Sequence, residues 1–207
     1  MVDPKKIISE MTLREKIAQT FLQYYQGYDD LPDNLIELNK KNELGNILYF
    51  SGANVRDIDQ LNNMSRNIQS HAKDNRFNLP FLLTIDQEGG QLTAIHRGTT
   101  MFPGNMALGF ANNKELALKQ GLHCGKELKY AGINVCYAPV LDVSYDYKET
   151  PIVDNRMYSS NPKVVAEMGS AYIKGLQEIG VAACGKHFPG MRPRMISGIS
   201  RKVHRLL

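Results

Sequence analysis

The stretch LPFLLTIDQEGG, residues 79–90, indicates the fold class because an apolar run ends in acidic residues and glycines. Residues 79–86 are mainly apolar without a polar alternation, which is typical of a short strand buried on both faces. The segment then delivers two carboxylates, Asp86 and Glu88, directly before a Gly-Gly pair. This pattern predicts a strand of a parallel sheet whose end carries functional groups.

The same kind of apolar run occurs three more times, at residues 44–52, 133–142 and 181–188. Between these runs the apolar residues recur with a period of about 3.6, which predicts amphipathic helices over residues 11–25, 54–73, 114–132 and 161–180. Thr12 and Glu15 have the spacing of a capping box, and Asn161 is placed as an N-cap before Pro162. Buried strands that alternate with helices predict an α/β fold with a parallel sheet.

Three of the four predicted strands end in polar or charged side chains: Asp86 and Glu88, then Asp142, then Lys186 and His187. Ligands of parallel α/β folds bind at the carboxyl ends of the strands, where the loops converge. Carboxylates beside a Lys-His pair could hydrogen-bond a polyhydroxylated ligand. A structural role is the alternative for each carboxylate, and also for one of the two basic residues, since successive strand residues face opposite ways.

Several classes of site are not supported by the sequence. No His or Cys pair has the spacing of a zinc site, and no glycine-rich motif opens a helix as in nucleotide-binding proteins, so we expect neither a metal nor a cofactor. The three cysteines form no CxxC pair, which favours reduced, buried thiols. The amino-terminal residues lack the apolar segment of a signal peptide, and no run is long enough to span a membrane, so we expect a cytoplasmic protein.

The charge is distributed unevenly along the 207 residues. Residues 191–207 contain five Lys or Arg and no acidic residue, so they account for the net charge of +4 and residues 1–190 are nearly neutral. The basic segment has no aromatic residue to stack on a base, which argues against nucleic-acid binding. We therefore predict one domain over residues 1–190 and an unpatterned basic tail over residues 191–207.

Five segments, taken together and in this order, resemble the N-terminal catalytic domain of glycoside hydrolase family 3. They are MTLREKIAQ, LPFLLTIDQEGGQL, FPGNMALG, AGINVCYAPVLDV and NPKVVAEMGSAYIKGLQEIGVAACGKHFPG. The branch most similar to them contains bacterial β-N-acetylhexosaminidases. The resemblance implies a TIM-type (β/α)8 barrel and retaining hydrolysis of terminal β-linked N-acetylglucosamine from cell-wall or other oligosaccharides, as in peptidoglycan recycling. An amino-sugar oligosaccharide or a muropeptide would be the substrate.

The resemblance also assigns roles to individual residues. It implies that sugar hydroxyls bind to Asp86, Arg156, Lys186 and His187, with Glu88 and Asp142 supporting them. Gln91 stands where the family usually has Arg, so that glucosides and xylosides stay open as substrates.

The sequence departs from the family pattern after KHFPG. There the family has a second His, a Gly-Asp-Thr segment and a loop with the acid/base His, and the nucleophilic Asp comes later, whereas this chain continues with Met191. We therefore expect a chain cut short, with a tail that arises from a frameshift, only about the first half of the barrel and neither catalytic group. The alternative to a hydrolase is a catalytically inactive fragment with weak sugar binding, which could self-associate through the open barrel edge.

Overall fold

The computed structural model describes residues 3–144, 155–188 and 190. The predicted basic tail, residues 191–207, lies outside the described residues. The chain divides into two compact units. The first unit comprises the chain up to Asp86 with Ala94–Thr99 and Glu127–Cys136, and the second unit comprises Gln87–Thr93, Thr100–Lys126 and the described residues from Tyr137 onward.

Helices and strands alternate along the described ranges, as the sequence predicts. The helices are α1 (Pro4–Glu10), α2 (Leu13–Ala18), α3 (Asp33–Lys40), α4 (Ile58–Ser70), α5 (Asn105–Ala111), α6 (Lys114–Tyr130) and α7 (Pro162–Glu178), with a 3-10 turn at His71–Asp74. The strands are β1 (Leu22–Gln23), β2 (Asn46–Tyr49), β3 (Leu83–Ile85), β4 (Gln87–Gly89), β5 (Leu92–Thr93), β6 (Val135–Cys136) and β7 (Ala182–Ala183). None of the described helices combines the length and the hydropathy needed to cross a bilayer.

The first unit is built on a parallel sheet in the order β1-β2-β3-β6. Ile47 of β2 pairs with Leu83 of β3, and both side chains are fully buried, as expected for strands covered on both faces. Helix α4 packs an apolar stripe into the same core, with Leu61 and Ile68 fully buried. The predicted α/β fold with a mostly parallel sheet is thereby confirmed.

Local signals set the helix starts that the sequence predicts. The capping box at the start of α2 is present, with the Thr12 hydroxyl accepting from the Glu15 amide and the Glu15 carboxylate accepting from the Thr12 amide. At the start of α7, the Asn161 side chain accepts from the amide of Lys163, and Pro162 occupies the first turn. These contacts satisfy amide groups that have no partner within the helix.

The first predicted helix is shorter than its apolar pattern suggests. It ends at Ala18, and the chain enters β1 instead of continuing to residue 25. Pairing with β2 takes over the backbone groups: the amide of Asn46 donates to the carbonyl of Phe21, and the Asn46 side chain donates to the carbonyl of Gln19. Tertiary pairing thus overrides the helical pattern over these residues.

All four predicted strands are shorter than their apolar runs, and the difference is largest for the last two. The run at residues 133–142 gives only β6 and an isolated parallel bridge between Val140 and Lys186, and the run at residues 181–188 gives β7 and the same bridge. Pro139 has no amide hydrogen and cannot extend a ladder in the regular way. Its carbonyl instead accepts from the amide of Lys186.

The second unit contains an antiparallel hairpin and the close packing of α6 on α7. Strands β4 and β5 form the hairpin, whose turn residues Gly89 and Gly90 have φ values of +89° and +60°. A Cβ on Gly175 of α7 would lie 2.5 Å from the carbonyl oxygen of Leu118 in α6, so only glycine allows this approach. A core that includes Leu108 and Tyr158 fills the same unit.

We predict that Gly45→Ala destabilises the protein, because a Cβ at this position would lie 2.1 Å from the carbonyl oxygen of Ala18 and 2.5 Å from that of Phe21. The main chain between α2 and β2 must then shift, at a cost of about 1–3 kcal/mol in the free energy of unfolding. Urea denaturation measures this loss. Gly52→Ala is the matched control, since a Cβ there meets no atom within 4 Å, and equal losses for both variants would contradict the prediction.

Candidate active site

The second unit brings together a buried carboxylate and two basic side chains from distant parts of the chain. Glu88 comes from the middle of β4, Lys186 from the bridge to Val140, and Arg156 from the segment before α7. The backbone fixes Lys186 on both sides, because its amide donates to the carbonyl of Pro139 and its carbonyl accepts from the amide of Leu141. The strand end therefore holds the start of the Lys186 side chain in place.

Glu88 is the centre of this ion cluster. Glu88 is 2% exposed, and its carboxylate accepts hydrogen bonds from Nε and Nη2 of Arg156 over 2.8 and 2.7 Å. Nζ of Lys186 lies 2.5 Å from Oε1 of the same carboxylate. A carboxylate without water is stable only when it is paired and hydrogen-bonded, and the two-pronged guanidinium contact supplies both. Two positively charged side chains thus share one buried carboxylate.

His187 contacts a second buried carboxylate. Its Nδ1 lies 2.6 Å from Oδ2 of Asp142, a residue that is 4% exposed. Since a carboxylate accepts, Nδ1 carries the hydrogen in this contact, and in the neutral ring Nε2 is then an acceptor. The two neighbouring basic side chains thus have separate carboxylate partners.

The segment FPGNMALG, residues 102–109, supports the ion cluster, although the sequence predicted no site residue in it. The carbonyl of Phe102 accepts from the amide of Gly90, and the side chain of Asn105 donates over 2.8 Å to the carbonyl of Arg156. A Cβ on Gly90 would lie 2.8 Å from Cα of Gly104, so the two backbones are in close contact. Gly90 and Gly104 could have indicated this contact in the sequence, because two backbones this close leave no room for a side chain.

The predicted site residues are distributed over the two units. Arg156 and Lys186 converge on Glu88, and His187 contacts Asp142, so the two carboxylates lie against the basic residues that they were expected to support. Asp86 is in the first unit, where it directly follows β3 and is half-buried. The assignment of Asp86, Arg156, Lys186 and His187 to sugar hydroxyls stays a prediction.

Within the described residues, no group of three or more His, Cys, Asp or Glu side chains is arranged to hold a metal ion. The cluster around Glu88 is unsuited to a cation, because two positively charged side chains already occupy its carboxylate. What this arrangement offers is a set of fixed donors with one imidazole acceptor. Such a set suits hydroxyl groups, which both donate and accept hydrogen bonds.

Comparison with known families agrees with the segments quoted above. The model of the glycosyl hydrolase family 3 N-terminal domain matches residues 12–202. Beta-hexosaminidase A of Pseudoalteromonas piscicida is 37% identical over 164 residues, which cover 77% of this chain and 27% of that protein. A beta-hexosaminidase of Thiobacillus denitrificans is 35% identical over 153 residues, or 71% of this chain and 40% of that protein. The chain thus spans less than half the length of these relatives.

Solved structures have a similar fold. A glycoside hydrolase family 3 beta-N-acetylglucosaminidase from Paenibacillus sp. str. FPU-7 superposes with a TM-score of 0.80 at 36% identity, over 87% of this chain and 34% of that one. NagZ from Neisseria gonorrhoeae in complex with N-trifluoroacetyl-D-glucosamine gives a TM-score of 0.72 at 26% identity, over 82% of this chain and 50% of that one. The fold described here is therefore similar to part of each of these larger chains.

We predict that Glu88→Gln lowers the free energy of unfolding by about 3 kcal/mol, because it leaves Arg156 and Lys186 close together without their shared buried carboxylate. Glu43→Gln is the matched control. It removes an arginine-bound carboxylate whose partner Arg14 has a side chain that is 78% exposed, so we expect little change. Urea denaturation of both variants checks this, and a similar stability for the two would contradict the structural importance of the Glu88 cluster.

Proposed function

Because the chain belongs to glycoside hydrolase family 3, we propose that it carries the sugar-binding part of a retaining β-N-acetylhexosaminidase. The reaction is hydrolysis of terminal β-linked N-acetylglucosamine from cell-wall or other oligosaccharides, with muropeptides among the substrates. Two relatives named beta-hexosaminidase, at 37% and 35% identity, support this choice of glycoside. So does the similarity to a beta-N-acetylglucosaminidase of known structure at 36% identity.

The observation that carries the proposal is the buried Glu88 carboxylate, which orients Arg156 and Lys186. Their hydrogen-bond donors are fixed before a ligand arrives, so that binding costs little side-chain entropy. A guanidinium presents its donors in one plane and can hold a polar ligand in a single orientation. An uncharged sugar can bind in this way, because its hydroxyl oxygens accept hydrogen bonds from these donors.

Each site residue then has a distinct task in binding the sugar. Arg156 and Lys186 donate to sugar oxygens, and Nε2 of His187 accepts from a hydroxyl while Asp142 holds the ring through Nδ1. Asp86 accepts from sugar hydroxyls, an assignment that rests on the DQEGG motif. Within the second unit, cationic donors beside an imidazole acceptor match the two-sided hydrogen bonding of hydroxyl groups.

Retaining hydrolysis needs two further groups beside the glycosidic bond. A nucleophile forms a glycosyl-enzyme intermediate, and an acid/base residue protonates the leaving oxygen and later activates water. In the family pattern, both follow the KHFPG segment. The binding residues would orient the sugar so that these two groups reach its anomeric carbon and the glycosidic oxygen.

The proposal extends to the architecture of the whole protein. The parallel strands described here would be the first half of a (β/α)8-type barrel, followed in the sequence by the basic segment of residues 191–207. Strand β1 lies at one end of the described order β1-β2-β3-β6, and Leu22 in it is 43% exposed. An isolated half-barrel would cover such an edge by self-association. Cys124 and Cys136 are buried thiols, which supports a reducing cytoplasmic setting.

Sequencing the gene through codon 190 and about 500 bases beyond tests this architecture. A different reading frame that encodes His-Gly-Asp-Thr and further strands would support the half-barrel and the frameshift-derived tail. If sequencing confirms the present reading frame and finds no such continuation, the half-barrel and the frameshift-derived tail are both contradicted. Sedimentation analysis of the 207-residue chain separately tests self-association.

We predict that the 207-residue chain binds N-acetylglucosamine in calorimetry but does not release nitrophenol from 4-nitrophenyl N-acetyl-β-glucosaminide. Binding is expected because the donors are preorganised, and turnover is not expected because the family places both catalytic groups after KHFPG. Turnover would contradict this placement of the catalytic groups. Absence of N-acetylglucosamine binding would contradict the proposed function itself.

We also predict that Lys186→Met weakens N-acetylglucosamine binding roughly tenfold, because a hydrogen bond from a charged donor is lost. Lys174→Met is the matched control, since Lys174 lies on α7 with a side chain that is 68% exposed and pairs with Glu178. Calorimetry gives the affinities, and circular dichroism verifies that both variants are folded. Equal affinity for the two variants would exclude Lys186 from the sugar site.

A further inference from the structure

Two exposed aromatic side chains lie together at the carboxyl end of the sheet in the first unit. Tyr24 directly follows β1 and Phe50 directly follows β2, and their ring centroids are 6.4 Å apart with the planes tilted by 47°. Tyr24 is 58% exposed and Phe50 is 56% exposed. The separation is typical of interacting aromatic rings, yet more than half of each residue is open to solvent.

A buried asparagine holds the two loops that carry this aromatic pair. Asn54 is fully buried, and its side-chain carbonyl accepts from the amide of Phe50 over 3.2 Å. Its side-chain amide donates over 2.7 Å to the carbonyl of Tyr25 and over 3.2 Å to that of Gly27. The loop after β1 and the loop after β2 are thus fixed to each other through one side chain. The backbone that carries the aromatic pair is therefore fixed before a ligand arrives, so that binding there costs little loop entropy.

The sheet register places the aromatic pair beside Asp86. Tyr49, the last residue of β2, pairs with Ile85, the last residue of β3, so Phe50 and Asp86 follow the ends of adjacent parallel strands at the same level. Adjacent strands are about 5 Å apart. An apolar surface and a half-buried carboxylate therefore occupy neighbouring positions at the end of the sheet where ligands of such folds bind.

We propose that Tyr24 and Phe50 form a second sugar subsite, which binds the ring next to the N-acetylglucosamine held at Asp86. This inference rests on the proposed function and assigns the residues that contact the second sugar of its oligosaccharide substrates. A β-linked pyranose presents axial C–H groups on its faces, and these groups carry a partial positive charge. The face of an aromatic ring is negative, so the two surfaces attract each other while both lose contact with water.

The pairing of an acidic residue with aromatic rings favours a sugar over a purely apolar ligand. A sugar chain has hydroxyl edges, which a carboxylate such as Asp86 can bind, and apolar faces, which rings can cover. The tilt between Tyr24 and Phe50 lets one ring contact the face of a sugar and the other contact its edge. Stacking requires only the ring, so the phenol oxygen of Tyr24 is dispensable for this role.

The test compares two ligands in calorimetry with the 207-residue chain. One is N-acetylglucosamine, and the other is its β-1,4-linked disaccharide with a sulfur-bridged linkage that resists hydrolysis. We expect the wild type to bind the disaccharide more tightly than the monosaccharide. Phe50→Ala and Tyr24→Ala should each weaken disaccharide binding roughly fivefold and leave monosaccharide binding unchanged, whereas Tyr24→Phe should bind like the wild type.

Phe21→Ala is the matched control, because Phe21 is 62% exposed but precedes β1 at the opposite end of that strand. It should not alter the affinity for either ligand. The subsite is overturned if monosaccharide binds but the disaccharide affinity of Phe50→Ala and Tyr24→Ala equals that of the wild type. A change in sedimentation rather than in disaccharide affinity also overturns it, in favour of contact between copies of the chain. If neither ligand binds to the wild type, the proposed function fails together with the subsite.

Discussion

The buried carboxylate of Glu88 is the constraint on which the candidate site depends. A carboxylate that is 2% exposed loses its hydration, and the loss is offset only if positive donors surround it. Arg156 and Lys186 supply them, from positions 68 and 98 residues further along the chain. The hairpin, the segment at Arg156 and the end of the Lys186 strand must therefore be in place together. An electrostatic requirement of the folded state thus also determines where the donors of the site point.

Local features of the fold could be predicted from the sequence, whereas features that depend on distant pairing could not. The helices around Leu61 and after Asn161 were predicted correctly because their caps and apolar stripes are encoded within a few turns. The end of α2 at Ala18 was missed, because the pairing of β1 with β2 decides it. The predicted strand around Pro139 was too long for a related reason, because apolar composition does not indicate which backbone amides can form ladder hydrogen bonds.

The residue types of the site could be predicted in the same way, but their partners could not. In the sequence, Glu88, Asp142 and Lys186 stand at or just after the ends of predicted parallel strands, which is where ligands of such folds bind. That Lys186 shares Glu88 with Arg156 while His187 contacts Asp142 depends on four chain segments that meet only in the folded state. The contribution of Asn105 was missed for the same reason, because its partner is a backbone carbonyl 51 residues away.

Each unit uses a buried polar side chain to fix loops that follow strands. In the second unit Glu88 does this with charges, and in the first unit Asn54 does it with a neutral amide that bonds to three backbone groups. Hydrogen bonds to a sugar replace hydrogen bonds to water, so their net gain is small and depends on how little freedom is lost on binding. Loops fixed in advance lower that entropic cost for polar donors and for aromatic rings alike. The buried asparagine at the sheet end is therefore the physical reason to regard Tyr24 and Phe50 as a binding surface rather than as scattered exposed aromatic residues.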